Sequence, residues 1–173
     1  MTHIGIVSDT HGHWDERGNA FFEGCQQIWH AGDIGALAVT EALKRLCPIR
    51  AVYGNIDDHA TRLEFPKNQL FTLEGLRILI THIGGHPAHW APGIKDLIQR
   101  EKPNILVCGH SHLLKVEFVK SLNLLYINPG AYGLTGFHKV RTLISLDLDN
   151  GQPKNLQVFE VKRWPTAPCP PKS

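Results

Sequence analysis

Apolar residues in this chain come in short runs, and five of those runs end on a cluster of Asp, Asn or His. Residues 4–7 run into Ser8-Asp9-Thr10-His11, residues 27–29 into His30-Ala31-Gly32-Asp33, and residues 49–53 into Gly54-Asn55. Residues 77–81 precede His82, and residues 104–108 precede Gly109-His110-Ser111-His112. Short apolar runs bounded by turn formers predict buried strands. Between the early strands the period changes. Residues 15–24 carry Ala20, Phe21 and Phe22 in a short helical stretch, and residues 36–46 space Val39, Ala42, Leu43 and Leu46 on one helical face, with Pro48 marking its end.

Strand, helix, strand, helix, strand is an order that argues for parallel or mixed pairing with helices on a face. The second half reads differently. Residues 69–73 and 76–81 flank Glu74-Gly75 as a hairpin, and one helix is predicted over 94–100, stopped near Pro103. A buried strand over 105–108 and a hairpin over 115–119 and 124–128 follow. Two late strands are predicted over 140–148 and 156–161, with the turn Asp149-Asn150-Gly151 between them. The expectation is an α/β fold of two packed sheets with helices outside, one domain over residues 1–163, and a Pro-rich disordered tail over 164–173.

Composition narrows the function classes. The 173 residues suffice for one domain with its own core, and a hydrophobic content of 42% with 20% charged residues is ordinary for a globular protein. The net charge is +2, and the longest basic runs are the dipeptides Lys44-Arg45 and Lys162-Arg163, so nucleic acid is not expected as the main partner. No apolar run reaches the roughly 20 residues a bilayer span needs, and no basic-then-apolar leader opens the chain. A cytoplasmic protein without a membrane partner is expected. Cys25, Cys47, Cys108 and Cys169 form no C-x-x-C pair and read as free thiols. Histidine is the outlier, with 11 in the chain.

Several of those histidines stand at the strand ends. On a regular strand, residues i and i+2 share a face roughly 6–7 Å apart. Asp9/His11 and His110/His112 can therefore approach one centre, especially where each pair lies at the point the strand opens into a loop. The candidate ligands are Asp9, His11, Asp33, Asn55, His82, His110 and His112. Their nitrogen and oxygen donors, without a thiolate, suit two divalent ions in a hydrolytic site: Mn²⁺ first, with Fe, Zn²⁺ or Ni²⁺ as alternatives. Seven ligands shared by two ions need a bridging carboxylate, and Asp33, alone at a middle strand end, is the expected bridge. Two such ions about 3.5–4 Å apart can deprotonate a bridging water and clamp phosphoryl oxygens.

The ordered set Asp-x-His, Gly-Asp, Gly-Asn, Thr-His and Gly-His-x-His resembles the calcineurin-like metallophosphoesterase superfamily, in particular its small bacterial and archaeal phosphodiesterases. The likeness covers roughly residues 3–150. It implies a β-sandwich of two mixed sheets flanked by helices. It also implies one ion held by Asp9, His11, Asp33 and His112, and a second held by Asp33, Asn55, His82 and His110. Asn128-Pro129-Gly130 is similar to the family's Asn-Pro-Gly turn beside the site. Two departures stand out. Gly54-Asn55-Ile56-Asp57 lacks the histidine that many members carry after the asparagine, which favours the phosphodiesterase branch over the protein phosphatases. In Thr81-His82-Ile83-Gly84-Gly85-His86, the Gly-His that commonly follows the ligand histidine arrives late.

The implied activity is hydrolysis of a small phosphorylated substrate, most simply a phosphodiester, by a metal-bridging hydroxide. Alternatives on the same site are a phosphomonoesterase or nucleotidase and a dinucleoside-polyphosphate hydrolase. A non-catalytic scaffold of the same fold, binding a protein, is the reading from another class, and homo-oligomers are compatible with all of these. His86 is the candidate leaving-group acid or phosphate donor, since a free imidazole titrates near neutrality. His30 is the candidate for orienting a ligand without touching metal. His3 and His138 are read as structural.

Overall fold

The structure is a computed structural model and describes residues 1–164. Its strands are β1 (Thr2–Val7), β2 (Gln27–His30), β3 (Ile49–Ala51), β4 (Asn68–Leu73), β5 (Leu76–Thr81), β6 (Gly85–His86), β7 (His89–Trp90), β8 (Ile105–Val107), β9 (Leu114–Val119), β10 (Leu124–Pro129), β11 (Val140–Asp149) and β12 (Gln152–Lys162). The helices are α1 (Arg17–Phe21), α2 (Leu37–Lys44), α3 (His59–Glu64) and α4 (Ile94–Glu101).

Two five-stranded sheets result, in the orders β12-β11-β1-β2-β3 and β4-β5-β8-β10-β9. Both are mixed. The β1, β2 and β3 strands run parallel and β11 pairs antiparallel to β1, while β8 runs parallel to both β5 and β10. The sheets face each other over Ile4, Ile6, Trp29, Ile78, Ile80, Ile127 and Ile144, all buried. The outer face of the first sheet carries Val7, Ile28 and Leu143 against Phe22, Val39 and Leu43, the last two one turn apart on α2. The outer face of the second packs Leu79 and Leu106 against Ile94 and Ile98 of α4. Coverage on both faces explains why β1 and β5 read as nearly continuous apolar runs rather than alternating ones. Parallel pairing of β1 with β2 and of β5 with β8 brings the C-terminal ends within each sheet to the same side.

Several boundaries differ from those predicted. The first helix shrinks from 15–24 to Arg17–Phe21, because Asp15 turns back to accept from the Arg17 backbone N–H and side chain and from Arg141. The second spans Leu37–Lys44 rather than 36–46, and the third strand stops at Ala51. The last strand begins at Gln152, four residues early, because it pairs along nearly all of β11. A helix absent from the sequence reading, α3, starts on Asp58, whose carboxylate accepts the Thr61 N–H at 2.9 Å. The small β6–β7 hairpin is likewise new. Of the predicted tail, Trp164 is exposed under the Arg163 guanidinium, and residues 165–173 lie outside the described residues. Cys25, Cys47 and Cys108 are free thiols, with Cys169 outside the described residues. No helix among the described residues is long and apolar enough to cross a membrane.

Candidate metal centre

The loops after β1 and β2 continue to pair where the strands stop. Asp9 N–H donates to Gly32 O at 3.0 Å, His11 N–H to Asp33 O at 3.0 Å, and Gly12 N–H to Ile34 O at 2.7 Å. Across the sandwich, Gly109 N–H donates to His82 O at 3.0 Å, joining the loops after β8 and β5. The two pairs of loops meet where His110 N–H donates to Asp9 Oδ2 at 3.1 Å. Close approach is built in at two glycines. A Cβ at Gly54 would overlap the Asp33 carboxylate, and one at Gly109 would overlap the Ser8 hydroxyl.

The backbone at this rim is left-handed. Asp9, His11, Asp33, His110 and His112 have φ of 53°, 47°, 52°, 69° and 59°. A non-glycine residue there costs about 1–2 kcal/mol, and such strain gathers where the surroundings hold a functional geometry. The pairs lie where the strands have opened into loops, and Asp9 and His11 converge through a turn rather than along a regular strand. His112 stands with Asp9 and His11, and His110 with Asp33 and His82. Within each trio the candidate ligand atoms lie within 4.8 Å of one another. The His11 and His112 rings pack edge to face at 5.2 Å, and those of His82 and His110 at 5.3 Å.

Hydrogen bonds decide which atoms face inward. Asp9 Oδ2 accepts from Ser8 Oγ at 2.7 Å and from His110 N–H, which leaves Oδ1 buried without a hydrogen bond. That oxygen lies 3.1 Å from His112 Nε2, 3.9 Å from His11 Nε2 and 4.0 Å from His82 Nε2. His82 donates Nδ1–H to Ala31 O at 2.8 Å, so the neutral ring keeps its Nε2 lone pair for the centre. That Nε2 sits 3.1 Å from Asn55 Oδ1 and 3.2 Å from Asp33 Oδ1. Asp33 Oδ2 is 3.8 Å from His11 Nε2, so its two oxygens face the two trios. Acceptors converging on the buried Asp9 and Asp33 carboxylates are stable only around a cation or a proton. The donor set fits a metal.

The proton states follow the same geometry. Burial lowers the His11 imidazole below its usual value, against the opposing pull of Asp33 and Asp9. Burial also works to lower His82, but when the ring takes up a second proton at Nε2 it donates to Asp33, and that bond with the charges of Asp9 and Asp33 outweighs burial, so the net shift is upward. Burial of Asp33 is outweighed in turn by its bond to His82, so its carboxyl sits below the ordinary range.

His30 lies fully buried behind the ligand loops. Its Nδ1 accepts Gly32 N–H at 3.1 Å, so Nε2–H points at Thr10 Oγ1, 2.9 Å away, and Thr10 passes its own hydrogen to Ile34 O at 2.9 Å. It thus ties together the backbone that carries Asp9, His11 and Asp33. His86 belongs to neither trio: it is exposed on β6, with its ring 5.1 Å from that of His89. Asn128 Nδ2 donates to Gly109 O at 2.9 Å, placing the Asn-Pro-Gly turn beneath the His110 loop.

One residue escaped the sequence reading. Asp57 is buried and accepts N–H groups from Ile34 (3.1 Å), Gly35 (2.7 Å) and Gly54 (2.7 Å), fastening the Asp33 loop to the Asn55 loop. The Gly-Asn-x-Asp string was the available signal. His138, read as structural, packs its ring 5.3 Å from His112 and donates Nε2–H to Gly133 O at 3.0 Å; a lone histidine in a loop gives no sequence signal for this.

Comparison with known proteins agrees with the geometry. The calcineurin-like phosphoesterase superfamily domain matches residues 2–151. A probable metallophosphoesterase of Methanothermobacter thermautotrophicus is 30% identical over 134 residues, covering 74% of this chain and 76% of that protein. A phosphodiesterase of Methanocaldococcus jannaschii is 29% identical over 143 residues, 73% of this chain and 82% of that one. Among solved structures, an archaeal phosphodiesterase superposes with a TM-score of 0.72 at 25% identity, over 92% of this chain and 99% of that one. A Vps29 single mutant from Entamoeba histolytica superposes with a TM-score of 0.73 at 15% identity, over 92% of this chain and 98% of that one, which speaks to the fold alone. With the strand-end trios in place and the family domain spanning both sheets, this chain belongs to the calcineurin-like phosphoesterase superfamily.

Proposed function

We propose that this phosphoesterase is a dinuclear-metal phosphodiesterase acting on small substrates. Asp9, His11, Asp33 and His112 would hold one ion, and Asp33, Asn55, His82 and His110 the other, with Mn²⁺ the first choice and Fe, Zn²⁺ or Ni²⁺ the alternatives. The observation that carries the reading is the Asp33 carboxylate, with one oxygen toward each trio. Two bound divalent ions supply Lewis-acid charge for phosphoryl oxygens and an acidified water as nucleophile. The chain's own residues set the stage. Ala31 O fixes the His82 tautomer, and Ser8 and the His110 N–H turn Asp9 so that Oδ1 faces inward. His86, on the hairpin following His82, is the proposed donor to the leaving group.

All seven ligand positions hold a competent residue, which favours catalysis over a scaffold role. The test is to strip the protein with chelator, restore Mn²⁺, count bound metal by elemental analysis, and assay bis-p-nitrophenyl phosphate. Two ions per chain with diester hydrolysis faster than monoester hydrolysis is the expected result. Two bound ions with neither ester hydrolysed would overturn it. A monoester preference would move the assignment to a phosphomonoesterase.

A further inference from the structure

Beside the centre lies a cleft of about 590 Å³, within the range of small-molecule sites. Asn55 and His82 belong to both the cleft and the Asp33 side of the centre. From there the cleft runs between two groups of elements. The segment from β3 through α3 to β4 supplies Tyr53, Arg62 and Lys67, and the segment from Ile83 into α4 supplies Ile94, Leu97 and Arg100.

The lining combines two characters. Ile83, Ile94 and Leu97 give an apolar wall, with Ile83 exposed on it. Arg62, Lys67 and Arg100 bring three cations, and no Asp or Glu is among the lining residues. Arg62 is held in place rather than neutralised. Its Nε donates to Asp57 O at 2.7 Å and its Nη2 to Asn55 O at 3.1 Å, both carbonyls, and its guanidinium lies 4.9 Å from the centre of the Tyr53 ring. Arg100 pairs with Glu101 at 2.9 Å, but Glu101 also pairs with Arg77 at 2.6 Å, so Arg100 is only partly compensated. Three like charges around one cleft repel each other, and an anion placed among them relieves that repulsion.

We propose that this cleft binds a nucleotide-like substituent of the substrate: a planar, apolar body bearing a second phosphate, joined to the phosphate that is hydrolysed. The apolar wall takes the body, Lys67 and Arg100 take the second phosphate, and Arg62 keeps the Asn55 end of the cleft in shape. This rests on the phosphodiesterase reading for the cleaved phosphate, while the cleft's own affinity is measurable without it.

A matched pair of substrates isolates the second charge: the p-nitrophenyl ester of thymidine 5′-phosphate, and the same ester carrying a 3′-phosphate. The Mn²⁺-loaded protein is expected to prefer the 3′-phosphorylated ester in kcat/KM by about five-fold or more, with the preference shrinking as salt screens it. In the double variant Lys67→Gln/Arg100→Gln the ratio falls to about one. Equal rates for the two esters in the unaltered protein, a preference that survives in the variant, or failure to turn over either nucleotide ester while bis-p-nitrophenyl phosphate is cleaved each overturn the proposal. If bis-p-nitrophenyl phosphate itself is untouched, the phosphodiesterase reading fails on its own. The cleft is then judged by calorimetric titration of metal-free protein with thymidine 3′,5′-bisphosphate. Binding that weakens several-fold in the double variant upholds the subsite, and absent or unchanged binding overturns it.

Discussion

The Nε2 atoms of His11 and His112 face each other across 3.3 Å, with the unbonded Oδ1 of Asp9 3.1 Å from the second of them. Two neutral imidazoles span that gap when one of them carries its hydrogen on Nε2 and donates to the other. A metal ion held there would take both Nε2 lone pairs and the Asp9 oxygen, and because only the folded chain brings these atoms together, binding should appear as added stability.

A ligand that binds only the folded state at 100 times its dissociation constant adds about 2.7 kcal/mol. For a domain of this size that is a rise of roughly 5–10 °C in Tm. Differential scanning calorimetry of chelator-treated protein with and without Mn²⁺ should show this rise. Bound metal with an unmoved Tm would mean that the unfolded chain binds the ion as tightly as the folded one, and the folded arrangement of these atoms would then add nothing.

Asp33 is the sharpest single test of the bridge. Asp33→Asn keeps the shape, and its amide oxygen can still accept the Ile56 N–H now held at 3.1 Å, so the fold should survive. Bound metal should drop from two ions toward one, and diester hydrolysis should fall by more than about 100-fold, beyond the loss typical of outer partners. Retention of both ions and most of the activity would remove Asp33 from the bridging role.

The strand ends were legible because burial on both sheet faces writes apolar runs directly into the sequence, as at residues 4–7 and 77–81. Where those runs stop, the polar clusters stood out. The backbone at the rim was not legible. The division of His110 and His112 between two trios was implied by the family resemblance alone, since alternation along a strand carries no sign of the left-handed φ that produces it. The α3 helix is too short for periodicity to register, so its only sign was Asp58 three residues before Thr61. Asp57 was read as part of a string lacking a histidine, whereas its weight lies in three backbone N–H groups brought together by tertiary structure. The Lys67, Arg62 and Arg100 cleft joins segments far apart in sequence, and no local pattern announces it.

His30 should give the protein a measurable acid sensitivity. Burial lowers its imidazole to about 4, below the unfolded value of 6.5, with Asp57 opposing. Between those values the unfolded chain binds a proton that the folded chain refuses, so stability is full above pH 6.5 and falls as the pH drops toward 4. The total loss is on the order of 3 kcal/mol. Urea titrations of metal-free protein at pH 7 and pH 5 should show about 2 kcal/mol of it. His30→Gln should be less stable at pH 7 but lose less between the two values. An equal loss in both proteins would assign the acid sensitivity to other histidines.

Asp57 offers the last prediction, because it joins two ligand loops without facing the centre. Its Oδ2 accepts from Ile34 and Gly54, and its Oδ1 from Gly35. In Asp57→Asn an amide nitrogen must replace one of these oxygens, so at least one backbone donor then meets another donor in a buried site. Leaving such groups unsatisfied costs about 1–3 kcal/mol each, and urea unfolding should register a loss in that range. The functional effect should be distinct from the loss of stability. The Asn55 loop would no longer be held to the Asp33 loop, so metal affinity should fall by about 10–100-fold while saturating Mn²⁺ restores much of kcat. A variant that is destabilised but binds metal with unaltered affinity would show that Asp57 supports the fold and does nothing for the centre.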